Sequence, residues 1–406
     1  MRRYRRAIRV TLGVAAIALL LGGTARFLRP YRGTARPLPP PVEATVRAAG
    51  PGTGPPTWHD DRPKTKPKVI TDAEREELLA RAQVWHPPSV AIERVSFADD
   101  SRDPRVVRCR FRVTELGGTT PKFDCSLESG EHIRVKYGKT GEVPAEVAST
   151  RLLRALGFGS DYMQYVERLR CYGCPEEPFS VMKAVEITQA EKLYKSLMVS
   201  YDDYEDFEWA AIETKFEGRE LETDRLAGWA MFELDKVRAD AGGAPRAHVD
   251  ALRLLSVFLA HWDNKADNQR LVCLSQSDWQ KGETCRQPFL LLQDLGSTFG
   301  PAKVNLEGWT NAPIWENRAM CLTSMRKLPF DGATFGEAHI SEQGRHFLAD
   351  MLTRFTDRQL TDLFTTSRFD DPLGIFRRSS AVADWVRAFK VRVRQIADGP
   401  PCPSET

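Results

Sequence analysis

The chain has 406 residues, with 58 Lys and Arg against 55 Asp and Glu, a formal net charge of +3. Nine of the arginines and no acidic residue fall in residues 1–36, so the remainder holds 49 basic against 55 acidic residues and is net −6. A body of that sign lacks the basic balance of a nucleic-acid-binding protein, and no nucleic-acid partner is expected.

Arg2, Arg3, Arg5, Arg6 and Arg9 precede an apolar run over 10–23. That is the layout of a positive n-region followed by an apolar h-region. The run is short for a full span, which needs roughly 20 apolar residues, and Gly23-Thr24-Ala25 offers a small-residue cleavage site. Residues 1–25 read equally as a cleaved signal peptide or as a single-pass membrane anchor with its arginines on the cytoplasmic side. Either exports the rest of the chain to an extracytoplasmic compartment, secreted or tethered. All eight cysteines lie after this segment and are even in number, as suits an oxidising compartment.

Residues 26–88 begin as a Pro-, Arg- and Gly-rich tether, including Pro37-Leu38-Pro39-Pro40-Pro41, which cannot bury a core. They end in a short helix over 71–81, opened by Thr71-Asp72-Ala73-Glu74. Residues 89–187 read as a mainly antiparallel β unit with one helix. Strands are expected over 106–114, 122–127 and 132–137, with Gly117-Gly118 and Glu128-Ser129-Gly130 as the turns between them. A helix starting at Pro144 carries Val147, Leu152, Leu153 and Leu156 on one face and stops at Gly157. Two further strands, 163–169 and 179–187, bracket Cys171-Tyr172-Gly173-Cys174. This Cys-x-x-Cys stands alone, with no second pair and no clustered His. It reads as a local turn disulfide or as two bridges to distant partners rather than as a zinc half-site.

Residues 188–406 read as mainly helical. Helices are expected over 221–237, 247–260, 341–353, 356–365 and 381–396. Short apolar strands over 271–274 and 289–293 flank a polar insert bounded by Cys273 and Cys285, and a bridge between these two would close that hairpin.

The helix over 247–260 leads directly into His261-Trp262-Asp263-Asn264-Lys265-Ala266-Asp267-Asn268, and the later strand ends in Asp294-Leu295-Gly296. An acid and an amide five residues apart, with a second acid on the next strand, is the minimum for holding a metal nucleotide. These segments resemble the H-R-D-L-K-x-x-N and D-F-G motifs of the protein-kinase-like superfamily. The likeness is nearest its atypical secreted members, such as the Golgi casein kinase family, and bacterial kinase-like proteins. It covers roughly 106–299 by motif.

The resemblance implies an α+β, two-lobed protein-kinase-like fold. Residues 89–187 would be the small antiparallel β lobe with one helix, and residues 188–406 the larger, mainly helical lobe. It implies ATP with Mg2+ or Mn2+, and transfer of a phosphoryl group to a protein or glycan hydroxyl. By position, Asp263 would take the acceptor's proton and Lys265 would sit by the transferred group. Asn268 and Asp294 would hold the metal, and Lys136 would contact phosphate while paired with Glu146; Glu142, before Pro144, is read as loop. The turn at Gly117, Gly118, Thr119 and Thr120 does not spell G-x-G-x-x-G, and reads equally as a phosphate cover or as a plain hairpin turn.

Several features depart from the family. The interval from Asn268 to Asp294 is long, Trp262 stands where arginine is usual, and Asn311-Ala312-Pro313-Ile314 replaces Ala-Pro-Glu. The alternative reading is a pseudokinase that binds nucleotide or a partner without turnover. A third is nucleotide transfer to a protein hydroxyl on the same fold.

Overall fold

The computed structural model describes residues 56–61, 66–98, 106–274, 284–301, 303–328, 332–370 and 380–403. The candidate signal or anchor segment, 1–25, most of the tether and the tip of the Cys-bounded insert lie outside these residues. In chain order the elements begin with β1 (Lys68–Val69), α1 (Asp72–Arg81), β2 (Val106–Arg112), β3 (Lys122–Leu127), β4 (His132–Lys136) and α2 (Glu142–Leu156). They continue with β5 (Gly159–Ser160), β6 (Tyr162–Tyr172), α3 (Pro178–Thr188), α4 (Glu191–Leu197), β7 (Tyr204–Thr214) and β8 (Arg219–Glu222). The remainder holds α5 (Arg246–Leu259), β9 (Gln269–Cys273), β10 (Pro288–Leu292), α6 (Leu306–Asn311), β11 (Leu322–Ser324) and β12 (Glu337–His339), then α7 (Glu342–Thr353), α8 (Asp357–Thr366) and α9 (Val382–Ala397). The fold is mixed α+β.

Five strands close a barrel in the order β2-β3-β4-β7-β6, with β2 parallel to β6 at the seam. Alternation along the strands turns Cys109 and Phe111, Phe123 and Cys125, and Ile133 and Val135 into its core. A Cys109–Cys125 disulfide crosses inside, and Cys171–Cys174 closes the turn after β6. The fifth strand is Tyr204–Thr214, not 179–187 as the sequence suggests. Residues Pro178–Thr188 form α3 instead, with Pro178, Met182 and Val185 buried along one helical stripe and a proline in its first turn. Val and Ile gave the segment β propensity, and the 3.6-residue period overrode it.

A second sheet runs β1-β8-β9-β10-β5. Its β9–β10 hairpin is antiparallel and is closed by the expected Cys273–Cys285 bridge. Helix α5 packs on α7, and α9 lies against both α7 and α8, around a core that includes Phe258, Phe299, Trp309, Phe364 and Trp385. Thr71, Ser341 and Thr356 cap α1, α7 and α8 through their side chains. Helix α1 belongs to this core through Leu78 and Leu79, and its Arg75 makes a two-pronged ion pair with Glu233.

The helix expected over 221–237 is absent. In its place are β8, an extended stretch and a 3₁₀ turn at Met231–Lys236. Gly228 is the reason at its centre: a Cβ there would lie 2.0 Å from the Ala266 carbonyl oxygen, so the chain passes too close to its neighbour for a helical side chain.

All eight cysteines are paired, the last bridge joining Cys321 to Cys402. Four disulfides are consistent with an extracytoplasmic location. Among the described residues no helix is long and apolar enough to cross a membrane.

Candidate functional site

Helix α5 is buried along most of its length and delivers the chain to His261. The last four carbonyls of any helix lack intrahelical partners, and here each is satisfied. The Ser256 carbonyl accepts from the His261 N–H, and Val257 accepts from the Ala260 N–H and from Arg392. Phe258 accepts from Arg392 and from the indole of Trp309, and Leu259 accepts from the Phe299 N–H. That last bond joins the end of α5 to the segment following Asp294-Leu295-Gly296. The two candidate motifs are therefore tied together by main chain.

The loop 261–268 is braced from within. Asn264 donates to the His261 carbonyl at 2.8 Å, while its own amide oxygen accepts from the Thr334 and Phe335 N–H groups, each at 2.8 Å. Asn268 donates from Nδ2 to the Asp263 carbonyl at 2.8 Å, and its carbonyl accepts from the Gln293 N–H next to Asp294. His261 is fully buried, and among the described residues neither ring nitrogen has a hydrogen-bond partner. Burial depresses its pKa to about 4, with Asp294 opposing, so the ring is neutral.

Lys136, the last residue of β4, pairs with Glu146 of α2 at 2.5 Å, both buried. Its Nζ is 3.9 Å from the Asp294 carboxylate, whose side chain is 53% exposed. Burial alone would lower the Lys136 pKa, but Glu146, Glu213 and Asp294 around it outweigh that and hold it above the usual lysine range. Burial pushes the Glu146 carboxyl up to about 7, with Lys136 pulling against it. Asp263 is raised by burial, with Lys265 opposing from 3.5 Å.

The sequence-expected residues thus divide clearly. Lys136, Glu146 and Asp294 meet at one point, and Asn268 and Asp263 are linked to them through the shared main chain of the loop. Lys265 stands beside Asp263, half exposed. Helix α2 begins at Glu142 rather than Pro144, so Glu142 is its first residue and not loop. Pro144 fits there because its missing N–H falls among donors the first turn leaves unpaired anyway.

Glu142 then joins two candidates. The Thr120 hydroxyl of the β2–β3 turn donates to its carboxylate, and a Cβ on Gly296 would press to 2.9 Å from its Cβ. Gly117 and Gly118 form the tip of that turn, Gly118 with φ +70. Three residues beside the candidate groups were not picked out from the sequence: Lys122 and Glu213, which neighbour Lys136, and Asn264, which braces the loop. Lys122 is brought there by the β3–β4 register, which sets it opposite Lys136. Glu213 belongs to the unexpected strand, and nothing local marks Asn264.

Asp294 is a non-glycine residue at φ 49, a left-handed conformation that Asp tolerates better than most residues. Among the described residues Asp263 Oδ1 is buried without a hydrogen bond, with the Lys265 ammonium 3.5 Å from it. The Asn268 amide oxygen and the exposed Asp294 carboxylate are oxygen donors of the kind a hard divalent cation such as Mg2+ or Mn2+ takes.

No family model matches the chain, and no curated protein does. Among solved structures it is similar to the crystal structure of CtkA, a Helicobacter pylori proinflammatory kinase. The likeness is loose. Identity is 11% and the TM-score 0.37, over 72% of this chain and 95% of that one. At that level it carries no argument.

Proposed function

We propose that this chain is an extracytoplasmic, atypical kinase-like phosphotransferase of two-lobed form, taking ATP with Mg2+ or Mn2+. The observation that carries the reading is the buried Lys136–Glu146 pair facing Asp294 at 3.9 Å, on the same main-chain framework as Asp263 and Asn268. An ammonium held by a buried carboxylate presents its remaining donors to an anion, as phosphate recognition requires.

In this reading Lys136 binds phosphate oxygens, and Glu146 keeps its ammonium in place. Asn268 and Asp294 hold the cation, which when bound neutralises charge on the phosphates. The acceptor hydroxyl oxygen attacks the terminal phosphorus, the bond to the leaving diphosphate breaks, and Asp263 accepts the hydroxyl proton. Burial raises the Asp263 carboxyl, which suits a base. Lys265, beside it, neutralises charge on the transferred group. The acceptor is a protein or glycan hydroxyl, and the N-terminal segment either places the enzyme at a membrane or releases it.

The test is incubation of the full chain with ATP labelled on the γ-phosphate, Mg2+ or Mn2+, and protein and glycan acceptors. Transfer is expected, falling about 10²-fold or more in Asp263→Asn while nucleotide binding persists. Binding without transfer to any acceptor would support a pseudokinase, and transfer of an α-label would support nucleotide transfer. Absence of nucleotide binding would overturn the proposal.

A further inference from the structure

The β2–β3 turn carries a cation that the roles above do not use. Lys122, the first residue of β3, stands directly opposite Lys136 in the β3–β4 ladder. Its side chain reaches back under the turn: a Cβ on Gly118 would lie 3.1 Å from its Nζ. The turn is tied to the start of α2, because Thr120 bonds to Glu142 there and Gly296 packs on the same Glu142. Nothing lies within 4 Å of a Cβ built on Gly117, so the turn leaves open space at its tip.

The ammonium of Lys122 is partly buried, yet among the described residues it makes neither hydrogen bond nor ion pair. The neighbouring lysines are served: Lys136 has Glu146, and Lys215 has Asp161 and Glu213. Burial and then the like charge of Lys136 lower the Lys122 pKa, with Asp294 and Glu146 pulling the other way. A sheltered, unpaired ammonium beside a second one is costly unless an anion joins them.

We propose that Lys122 is a second phosphate-binding lysine, gripping the terminal phosphate of a nucleoside triphosphate from beneath the Gly117–Gly118 turn. Adjacent strands lie about 4.8 Å apart, so two lysines facing each other across β3 and β4 suit two oxygens of one polyphosphate. The turn then needs no G-x-G-x-x-G sequence, because a side-chain cation replaces the main-chain donors such a loop would supply. The inference rests on the nucleotide site proposed above and adds a selectivity to it: triphosphate over diphosphate over nucleoside.

Equilibrium binding of ATP, ADP and adenosine in Mg2+ to the full chain and to Lys122→Ala, Lys122→Arg and Asp294→Ala tests it, with melting temperature as the check on folding. Lys122→Ala is expected to weaken ATP at least tenfold and ADP less, leaving adenosine unchanged, and Lys122→Arg to recover most of the loss. Lys122→Met, which keeps the aliphatic stem, takes the place of Lys122→Ala if that variant melts early. ATP binding that depends on Asp294 but is indifferent to Lys122 would overturn this inference alone. Equal losses for ATP and adenosine would do the same, marking a structural role. No nucleotide binding by the unaltered chain would overturn this and the proposed function together.

Discussion

Lys136 and Glu146 are each nearly sealed from solvent, so each depends on the other for its charge. Removing one partner of a buried pair strands the other and costs about 3–5 kcal/mol, whereas replacing both with apolar side chains is often neutral. Lys136→Met should therefore destabilise the chain by that amount in urea unfolding, and Lys136→Met with Glu146→Leu should recover most of it. A double variant as unstable as the single one would contradict the pair's structural role. His261 gives a pH signature. Its folded-state pKa, about 4, lies below the ordinary 6.5, so the unfolded chain takes up the proton first. Its contribution is complete above pH 6.5 and is lost as pH falls through 4, about 3 kcal/mol over that window. His261→Leu should lose less stability between pH 7 and pH 4 than the unaltered chain, and equal losses would contradict burial of a neutral ring. At this scale the spacing of Asp263, Asn268 and Asp294 could be read because one loop and one hairpin carry it. Lys122 and Glu213 could not, because strand pairing brings them beside Lys136, and pairing is not a local property.

The elements depend on a few close approaches. Gly228 lies against the Ala266 and Gln269 carbonyls, where a Cβ would meet oxygens at 2.0 and 2.5 Å. Gly228→Ala must therefore push the 261–269 loop away. It should cost about 2 kcal/mol or more and weaken nucleotide binding, although residue 228 touches none of the candidate groups. Unchanged binding and stability would contradict that packing. Helices with polar caps, such as α7 and α8, were readable to within a residue, because Ser341 and Thr356 mark their starts and the apolar period marks their faces. The stretch 221–237 has a helical pattern but contains Gly228, whose constraint comes from chain 40 residues away. Segment 178–188 has strand-forming residues but helical spacing, and the barrel took its fifth strand from 204–214 instead.

Across the whole molecule, four bridges staple a chain built of a five-stranded barrel and a helical core. The Cys321–Cys402 bridge closes 81 residues and Cys171–Cys174 only 3. On chain-entropy grounds the first is worth about 4.5 kcal/mol and the second about 1.6. Replacing Cys321 and Cys402 with serine should therefore lower the melting temperature more than replacing Cys171 and Cys174, and the reverse order would contradict the loop-closure account. The even cysteine count and the Cys273–Cys285 pairing were visible in the sequence, since that hairpin is local. Cys321–Cys402 was not, because only tertiary packing brings those ends together.

In the proposed function, Lys136, Glu146, Asn268 and Asp294 form one metal-nucleotide site. Its most direct test is equilibrium titration of the full chain and of Asp294→Ala with ATP, with Mg2+ present and with it chelated. The unaltered chain should bind ATP tightly only with the metal, and Asp294→Ala should lose at least tenfold of that affinity while keeping its fold. Affinity that ignores both the metal and Asp294, or no binding at all, would contradict the account.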